Sequence, residues 1–276
     1  MLVYGIDFTS VPSRNNPITC SHCRLQDNVL IVTGLFPLSD WNEFENLLNS
    51  DGSWIAGIDF PFGQPNRLII DLNWPKPWEE YVRFVSSLSK ENFEAVLTTY
   101  KYTRAYGDKE HLRITDKRAG SLSPMKLNGV PVGKMFFQGA KRLLNSNNSV
   151  VPCLRRKSNT IVIEAYPGLA ARNLIGRKSY KGNNGDQSRK LKVRTDIISQ
   201  LIENTLYGFC VAITDECKER CIRDQGGDWL DAILCAVQAG WAYSQRFSNY
   251  GVPCDCDINE GWIIDPSTYN PNLSIV

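Results

Sequence analysis

The chain lacks the motifs of several large enzyme classes. It has only two histidines, His22 and His111, and neither lies near a nucleophile motif. No serine-hydrolase elbow or dinucleotide fingerprint occurs. The pair Gly133-Lys134 fails the phosphate-loop pattern, because Met135 follows it and position 128 is asparagine. These absences leave the carboxylates as the main chemical signal.

Long apolar runs are also missing. The longest nearly apolar stretch, residues 232–242, contains Gln238 and is much shorter than the roughly 20 residues of a membrane-spanning helix. The first residues have no basic segment ahead of an apolar one, and Asp7 interrupts them, which argues against a signal peptide. The nine cysteines are an odd number, which favours free thiols. We therefore expect a cytoplasmic protein with no membrane partner.

The net charge of +2 conceals an uneven distribution. Residues 101–194 carry 21 Lys and Arg against 5 Asp and Glu, whereas the rest of the chain carries 10 and 24. A region this basic repels itself unless an anion approaches it. We expect nucleic acid as the partner, and the alternatives are an acidic protein or a small phosphorylated ligand.

Apolar periodicity predicts an α/β fold with a mixed sheet. The predicted strands are residues 2–8, 18–24, 29–36, 54–60 and 160–166. The predicted helices are residues 39–48, with Ser39 as cap, 77–88, 134–144, 169–175, 188–206 and 227–247. A turn at residues 26–28 predicts an antiparallel hairpin, whereas strands that precede helices are expected to run parallel to the first strand.

The whole chain, residues 1–276, is expected to form one domain. Residues 100–158 are rich in Gly and Lys and poor in aliphatic side chains. We interpret them as a basic insertion, or long loop, between the fourth and fifth predicted strands. Residues 180–187 contain glycines and asparagines and are expected to form a mobile loop.

Three predicted strands each have a carboxylate near their C-terminal end. These residues are Asp7, Asp59 and Glu164, and two further acids, Asp228 and Asp231, lie one turn apart at the start of the last helix. Ligands of open α/β sheets bind beyond the carboxyl ends of the strands. Because a charge is costly to bury unless it is paired or binds a metal, we expect these acids to meet in one site.

Clustered carboxylates repel one another, and divalent cations with a preference for oxygen ligands relieve that repulsion. Two such ions could activate a water and stabilise the leaving oxygen of a phosphodiester. The alternative for any single acid is a turn or helix cap, and Asp228 also suits the N-terminal dipole of its helix.

These motifs together resemble known families. The order of elements, Asp7 and Asp59 at two strand ends, and the sequence Gly-Asp-Trp-Leu-Asp-Ala-Ile-Leu-Cys-Ala at residues 227–236 resemble the RNase H-like superfamily. The last segment is similar to the closing Asp-x-x-Asp-Ala helix of RuvC-type resolvases. With Gly-Ile-Asp-Phe-Pro at residues 57–61 and Glu-Ala-Tyr-Pro at residues 164–167, it also resembles an uncharacterised family, domain of unknown function 429, described as predicted nucleases with an RNase H fold.

The resemblance covers nearly the whole chain and implies an RNase H-like mixed sheet flanked by helices, with the basic insertion between its fourth and fifth strands. It implies that Asp7, Asp59 and Asp231 bind Mg²⁺ or Mn²⁺, with Asp228 or Glu164 completing the set. The acid of the fourth strand departs from the common pattern, since it is Asp where RNase H-like nucleases commonly have Glu, and its reach is shorter.

Four basic side chains are candidates for contact with an anionic substrate: Arg113, Lys126, Lys134 and Arg142. Phosphate contacts need such charge, and Lys134 or a neighbouring base could stabilise charge in a transition state. The alternative is that several of them form a solvated helix face.

The leading hypothesis is a nuclease, that is, a Mg²⁺- or Mn²⁺-dependent phosphodiester hydrolase that acts through its carboxylates. Two alternatives stay open. One is a nucleic-acid-binding module on the same fold that catalyses nothing, and the other is a small-molecule phosphotransferase, since related ATPase folds also place acids around a metal.

Overall fold

A computed structural model describes residues 1–182, 184–203 and 206–269. These residues form a seven-stranded mixed sheet in the order β5-β6-β4-β1-β2-β3-β7. The strands are β1 (Leu2–Asp7), β2 (Ile18–Gln26), β3 (Val29–Leu38), β4 (Trp54–Ile58), β5 (Ser149–Val151), β6 (Thr160–Glu164) and β7 (Cys210–Ile213). The expectation of an α/β fold with a mixed sheet is confirmed.

The first three strands form an antiparallel meander. A tight turn at Asp27 and Asn28 joins β2 to β3, and both residues have a left-handed backbone, with φ of 48° and 59°. Asn and Asp tolerate that conformation better than most residues, and two left-handed residues suit the twist of a hairpin. The predicted hairpin at residues 26–28 is therefore confirmed, and the register of β1 with β2 adds the second antiparallel pair.

The remaining strands are parallel to their neighbours. Strand β4 pairs with β1 in parallel, as predicted, and β6 and β5 extend the sheet on that side, while β7 pairs with β3 on the other side. The sequence did not predict β5 and β7, because runs of three and four residues are too short to show strand periodicity.

Helices cover both faces of the sheet. They are α1 (Trp41–Leu48), α2 (Asn66–Asp71), α3 (Trp78–Ser87), α4 (Lys90–Tyr102), α5 (Ile114–Ala119), α6 (Val132–Asn145), α7 (Pro167–Ile175), α8 (Gln187–Glu203), α9 (Asp215–Arg223), α10 (Asp228–Ser244) and α11 (Pro266–Tyr269). Asp40 caps α1 by accepting from the Glu43 amide at 2.9 Å, so the expected cap, Ser39, is one residue too early. The end of the predicted helix 188–206 includes residues 204 and 205, which lie outside the described residues.

Side-chain alternation along the strands divides the core into two layers. On one face, Val3 and Ile55 pack under α7, α8, α9 and α10. On the other face, Ile6 and Ile58 pack under the helices α1 to α4 and α6. Each strand contributes to both layers because successive side chains point to opposite faces.

Residues 100–158 are not a long loop, and most of their buried apolar side chains belong to the second of these layers. They contain α5, α6 and the edge strand β5, and Phe136 and Leu143 of α6 are fully buried. The low aliphatic content was misleading, because many of the apolar residues that this segment does have, aliphatic as well as aromatic, are buried. Among the helices of the described residues, none is long and apolar enough to cross a membrane.

Candidate active site

Two glycines allow helix α10 to lie directly on the sheet. A Cβ atom at Gly5 of β1 would lie 1.9 Å from the Ala232 carbonyl oxygen, and one at Gly57 of β4 would lie 2.3 Å from the Cys235 carbonyl oxygen. Any larger residue would push the helix away, so glycine is required for this close approach. The contact brings the first turn of α10 to the carboxyl ends of β1 and β4.

Three carboxylates meet at the carboxyl ends of β1 and β4. Asp7 lies on the same face of β1 as Gly5, and Asp59 follows β4 with its amide donating to the Ile6 carbonyl at 2.9 Å. Asp231, in the first turn of α10, is fully buried. The structure thus brings Asp7, Asp59 and Asp231 together, and we call these three residues the carboxylate cluster.

The electrostatics of the cluster are those of crowded like charges. Burial, followed by the charges of Asp231 and Asp59, raises the pKa of Asp7 well above its ordinary value. Burial also raises the pKa of Asp59 to about 7, although Lys181 opposes the rise. Among the described residues, no group donates a hydrogen bond to the side chain of Asp7 or Asp59. Both carboxylates are therefore left with free acceptor capacity.

Asp228 lies at the rim of the site. Its side chain is exposed, and burial of part of it, followed by the charges of Asp224 and Asp231, raises its pKa. Its backbone carbonyl accepts from the Thr19 hydroxyl at 2.9 Å, which fixes the start of α10 against β2. Asp228 is close enough to interact with the cluster but points toward solvent.

Among the described residues, Lys181 is the basic side chain that contacts the cluster, and the sequence did not single it out. Its Nζ donates to Asp231 Oδ2, and the hydroxyl of Tyr180 donates to Asp231 Oδ1 at 2.6 Å. Burial lowers the pKa of Lys181, but the charges of Asp231, Asp7 and Asp59 outweigh this and raise it. The side chain is 45% exposed, so it reaches the cluster from the solvent side.

The segment that carries Lys181 is anchored at several described points. Tyr180 is buried, the Gly182 amide donates to the Gln225 carbonyl at 2.9 Å, and Lys190 Nζ donates to the Gly182 carbonyl at 2.8 Å. The expected mobile loop, residues 180–187, therefore begins in fixed contacts, while Asn183 lies outside the described residues. Glycine and asparagine content alone did not reveal these anchors.

The donor chemistry of the cluster suits a hard divalent cation. Mg²⁺ commonly takes one or two carboxylates and keeps several waters, and Asp7 and Asp59 are two neighbouring, partly exposed carboxylates with free oxygens. Within residues 1–182, 184–203 and 206–269, however, no three His, Cys, Asp or Glu side chains already stand in position to hold a metal ion. Lys181 supplies the positive charge at Asp231 in this arrangement.

Glu164 does not join the carboxylate cluster. Strand β6 pairs with β4 so that Glu164 lies beside Ile58, and both point to the face opposite Asp59. Its Oε2 accepts from Arg113 Nη1 at 2.8 Å and from the Phe62 amide at 2.9 Å, and its Oε1 accepts from Arg113 Nη2 at 2.5 Å. The expectation that Glu164 is a ligand needs correction, because its oxygens are already occupied by protein donors.

Arg113 also departs from expectation. It is 1% exposed, and its guanidinium contacts Glu164, the Glu260 carbonyl and both oxygens of Asp116, at 2.7 and 3.0 Å. These acceptors engage all five N–H donors of the guanidinium, so Arg113 has none left for a phosphate of the substrate. We call Arg113, Asp116 and Glu164 the paired cluster.

The other three basic candidates lie in different surroundings. Lys134 forms an ion pair with Glu94 at 3.3 Å. Arg142 forms one with Glu45 at 2.9 Å, and its guanidinium lies 3.5 Å from the ring centroid of Trp41. Lys126 is partly exposed and has no ion pair among the described residues. Lys134 and Arg142 are therefore already engaged by the protein, and Lys126 has the freest charge of the four.

A pocket of about 240 Å³ opens beside the carboxylate cluster. Asp59 and Lys181 line one end, and the paired cluster contributes to the lining as well. The remaining lining residues come largely from the segment before α6, the start of α6 and the start of α7. The pocket therefore connects the two groups of charges.

Comparisons of the chain with protein-family models, with curated proteins and with solved structures find no match.

Proposed function

We propose that this protein hydrolyses phosphodiester bonds of nucleic acid with the help of Mg²⁺ or Mn²⁺ at the carboxylate cluster. The observation that carries the proposal is the pair Asp7 and Asp59, two carboxylates crowded together without hydrogen-bond donors among the described residues. A fold gains no stability from such an arrangement, since like charges destabilise it. Sites with acids arranged in this way commonly serve catalysis or cation binding.

The architecture supports the proposal. The cluster lies at the carboxyl ends of the parallel strands β1 and β4, where α/β sheets bind their ligands. The antiparallel meander β1 to β3, extended by parallel strands and crossed by α10, supports the RNase H-like fold that the sequence motifs resemble. Fold resemblance alone does not establish an activity, so the proposal rests on the acids.

The roles of the residues follow from their positions. Asp7 and Asp59 would hold the cation through their free oxygens, and Asp231 would join them once Lys181 moves away. When bound, the cation supplies activation of water and stabilisation of the leaving oxygen. Lys181 neutralises Asp231 beforehand and, once released, is placed to contact a phosphate oxygen of the substrate. Asp228, at the rim, would position water.

A cleavage assay tests the proposal. Labelled single-stranded DNA, duplex DNA, RNA and nucleotides are incubated with and without Mn²⁺, using the wild type, Asp7→Asn and the control Asp51→Asn, whose carboxylate is exposed. We expect Mn²⁺-dependent cleavage that falls on the order of 10³-fold in Asp7→Asn and is unchanged in Asp51→Asn. Full activity of Asp7→Asn would refute the assignment.

A nucleic-acid-binding module that catalyses nothing is the second candidate. The ion pair between Lys181 and Asp231 favours it, since a structural salt bridge needs no metal. This candidate predicts binding that weakens steeply with salt and no product with any substrate. Product formation by the phosphorylation of a nucleotide or other small molecule would instead support a phosphotransferase.

A further inference from the structure

The pocket beside Asp59 has walls of different chemistry. One wall is aliphatic and consists of Leu122, Val130, Val132 and Met135. Tyr166, from the residues before α7, also lines the pocket. Among the described residues nothing bonds to the Tyr166 hydroxyl, although its amide donates to Gln238 at 2.8 Å.

The aliphatic wall reaches the surface. Leu122 is 43% exposed and Val130 is 55% exposed, so their apolar surface borders the pocket without being covered by the described residues. Single exposed aliphatic residues are ordinary, but here two of them line the same cavity as a carboxylate of the cluster. An apolar group that enters the pocket would cover them.

The pocket also offers a polar group. The Ser121 hydroxyl lines it and donates to Asp116 Oδ1 at 2.8 Å, so its oxygen can still accept a hydrogen bond. Asp116 and Glu164 line the pocket too, but protein donors already occupy their oxygens. Its size is about 240 Å³, below the roughly 300–1,000 Å³ of pockets that enclose drug-sized ligands. A small ligand with apolar faces and a polar edge matches this lining better than an aliphatic chain does, because an aliphatic chain has no partner for the Ser121 hydroxyl.

We propose that the pocket takes one unpaired nucleobase of the strand whose phosphodiester lies at the carboxylate cluster. This inference rests on the proposed function and names the substrate class of that site. The base would lie against the aliphatic side chains and Tyr166, and its polar edge would face the Ser121 hydroxyl. The sugar and phosphate would then leave the pocket at the end lined by Asp59 and Lys181, where a negative backbone meets a lysine.

A pocket for one base discriminates between paired and unpaired nucleotides. A base inside a duplex is stacked and paired, so it reaches such a pocket only after it is flipped out of the helix. A single strand meets no such cost, and stacking on an aromatic side chain tolerates every base. The protein should therefore prefer single-stranded or flipped nucleotides and show little preference for base identity.

A fluorescent base analogue tests the pocket without any need for cleavage. A single-stranded oligonucleotide with one 2-aminopurine is titrated with protein in the presence of a chelator, and the same analogue is tested as a free nucleoside monophosphate and in a duplex. The variant Leu122→Ser/Val130→Ser removes apolar surface at two exposed positions, so its folding should be preserved. Ile70→Ser is the matched control, because Ile70 is 56% exposed and does not line the pocket.

We expect the single strand to change the 2-aminopurine fluorescence and to bind at least about tenfold more weakly to Leu122→Ser/Val130→Ser than to Ile70→Ser or the wild type. Equal responses of the two variants, or no response to any ligand, would overturn the proposal. Saturation by the free nucleotide but not by the strand would overturn it as well.

The experiments can refute the base pocket and the proposed nuclease function independently of each other. Cleavage that depends on Asp7, combined with equal responses of the two serine variants, would leave the proposed function standing and remove the base pocket. Base binding that depends on Leu122 and Val130, without any cleavage, would leave the pocket standing and remove the nuclease.

Discussion

Two groups of charged side chains lie at the carboxyl ends of neighbouring strands, on opposite faces of the sheet. They differ in how far protein groups pair and hydrogen-bond their charges. In the paired cluster, Arg113 bridges Asp116 and Glu164, and further amide and hydroxyl donors fill the remaining oxygens. In the carboxylate cluster, Lys181 and Tyr180 contact Asp231, whereas among the described residues nothing donates to the side chains of Asp7 and Asp59.

This difference separates structural charge from functional charge. Buried ions are tolerated when they are paired and hydrogen-bonded, and the paired cluster meets that condition. The carboxylate cluster does not, so it costs stability that only a ligand can recover. Sites that bind and react commonly retain such a cost because removing it removes the function.

The largest effect on stability is expected from breaking the paired cluster. Arg113→Met leaves Asp116 and Glu164 buried without their cation, and we expect it to lower the free energy of unfolding by about 3–5 kcal/mol. Arg83→Met is the control, since its ion pair with Glu79 is exposed and should contribute less than about 1 kcal/mol. Urea denaturation measures both, and equal losses would contradict the contrast.

A smaller loss is expected from Lys181→Met. Asp231 is fully buried but Lys181 is 45% exposed, so the loss should fall between the roughly 0–1 kcal/mol of an exposed pair and the roughly 3–5 kcal/mol of a buried one. Because a bound cation would replace the lysine charge, Mn²⁺ should narrow the difference from the wild type. Thermal unfolding with chelator and with Mn²⁺ measures the stability of both proteins. A stability difference that is the same with and without Mn²⁺ would contradict the replacement of the lysine charge by a cation.

The smallest effect is a gain in stability from Asp59→Asn. The pKa of Asp59 is raised to about 7, so the folded protein binds its proton more tightly than the unfolded chain does. The free energy of unfolding of the wild type therefore falls as pH rises from about 4 to 7. Asp59→Asn does not show this fall, because asparagine has no proton to lose at this position. We expect a gain on the order of 1 kcal/mol at pH 8 that disappears near pH 4.

Urea denaturation at the two pH values measures this gain, with Asp51→Asn as the control for loss of one carboxylate. A destabilised Asp59→Asn protein at pH 8 would show that Asp59 is a paired, structural acid like those of the paired cluster.

The sequence predicted the acids better than it predicted the bases. Asp7, Asp59 and Asp231 stand out because a charge at the end of an apolar strand, or in an apolar helix, is unusual whatever the detailed packing. Glu164 follows the same rule, but the face of the sheet on which it lies depends on the register of β6 against β4. A shift of that register by one residue would move every side chain of β6 to the other face.

The basic residues carried no comparable signal. Arg113 and Lys126 belong to the same basic region, but one is sealed against two carboxylates and the other is partly exposed. Composition cannot separate these cases because pairing depends on tertiary contacts. Lys181 was missed for the same reason, since its contact with Asp231 joins segments 50 residues apart. The short strands β5 and β7 likewise form through their neighbours rather than through local pattern.

Calorimetric titration with Mn²⁺ tests the central claim, that the carboxylate cluster binds a divalent cation. The wild type, Asp7→Asn and Asp51→Asn are titrated under the same conditions at pH 8, above the pKa of about 7 of Asp59. We predict saturable binding to the wild type and Asp51→Asn, and binding at least about tenfold weaker to Asp7→Asn, because a tenfold change corresponds to the loss of roughly 1.4 kcal/mol of ligand energy. Identical isotherms for all three proteins, or no binding to the wild type, would contradict the account.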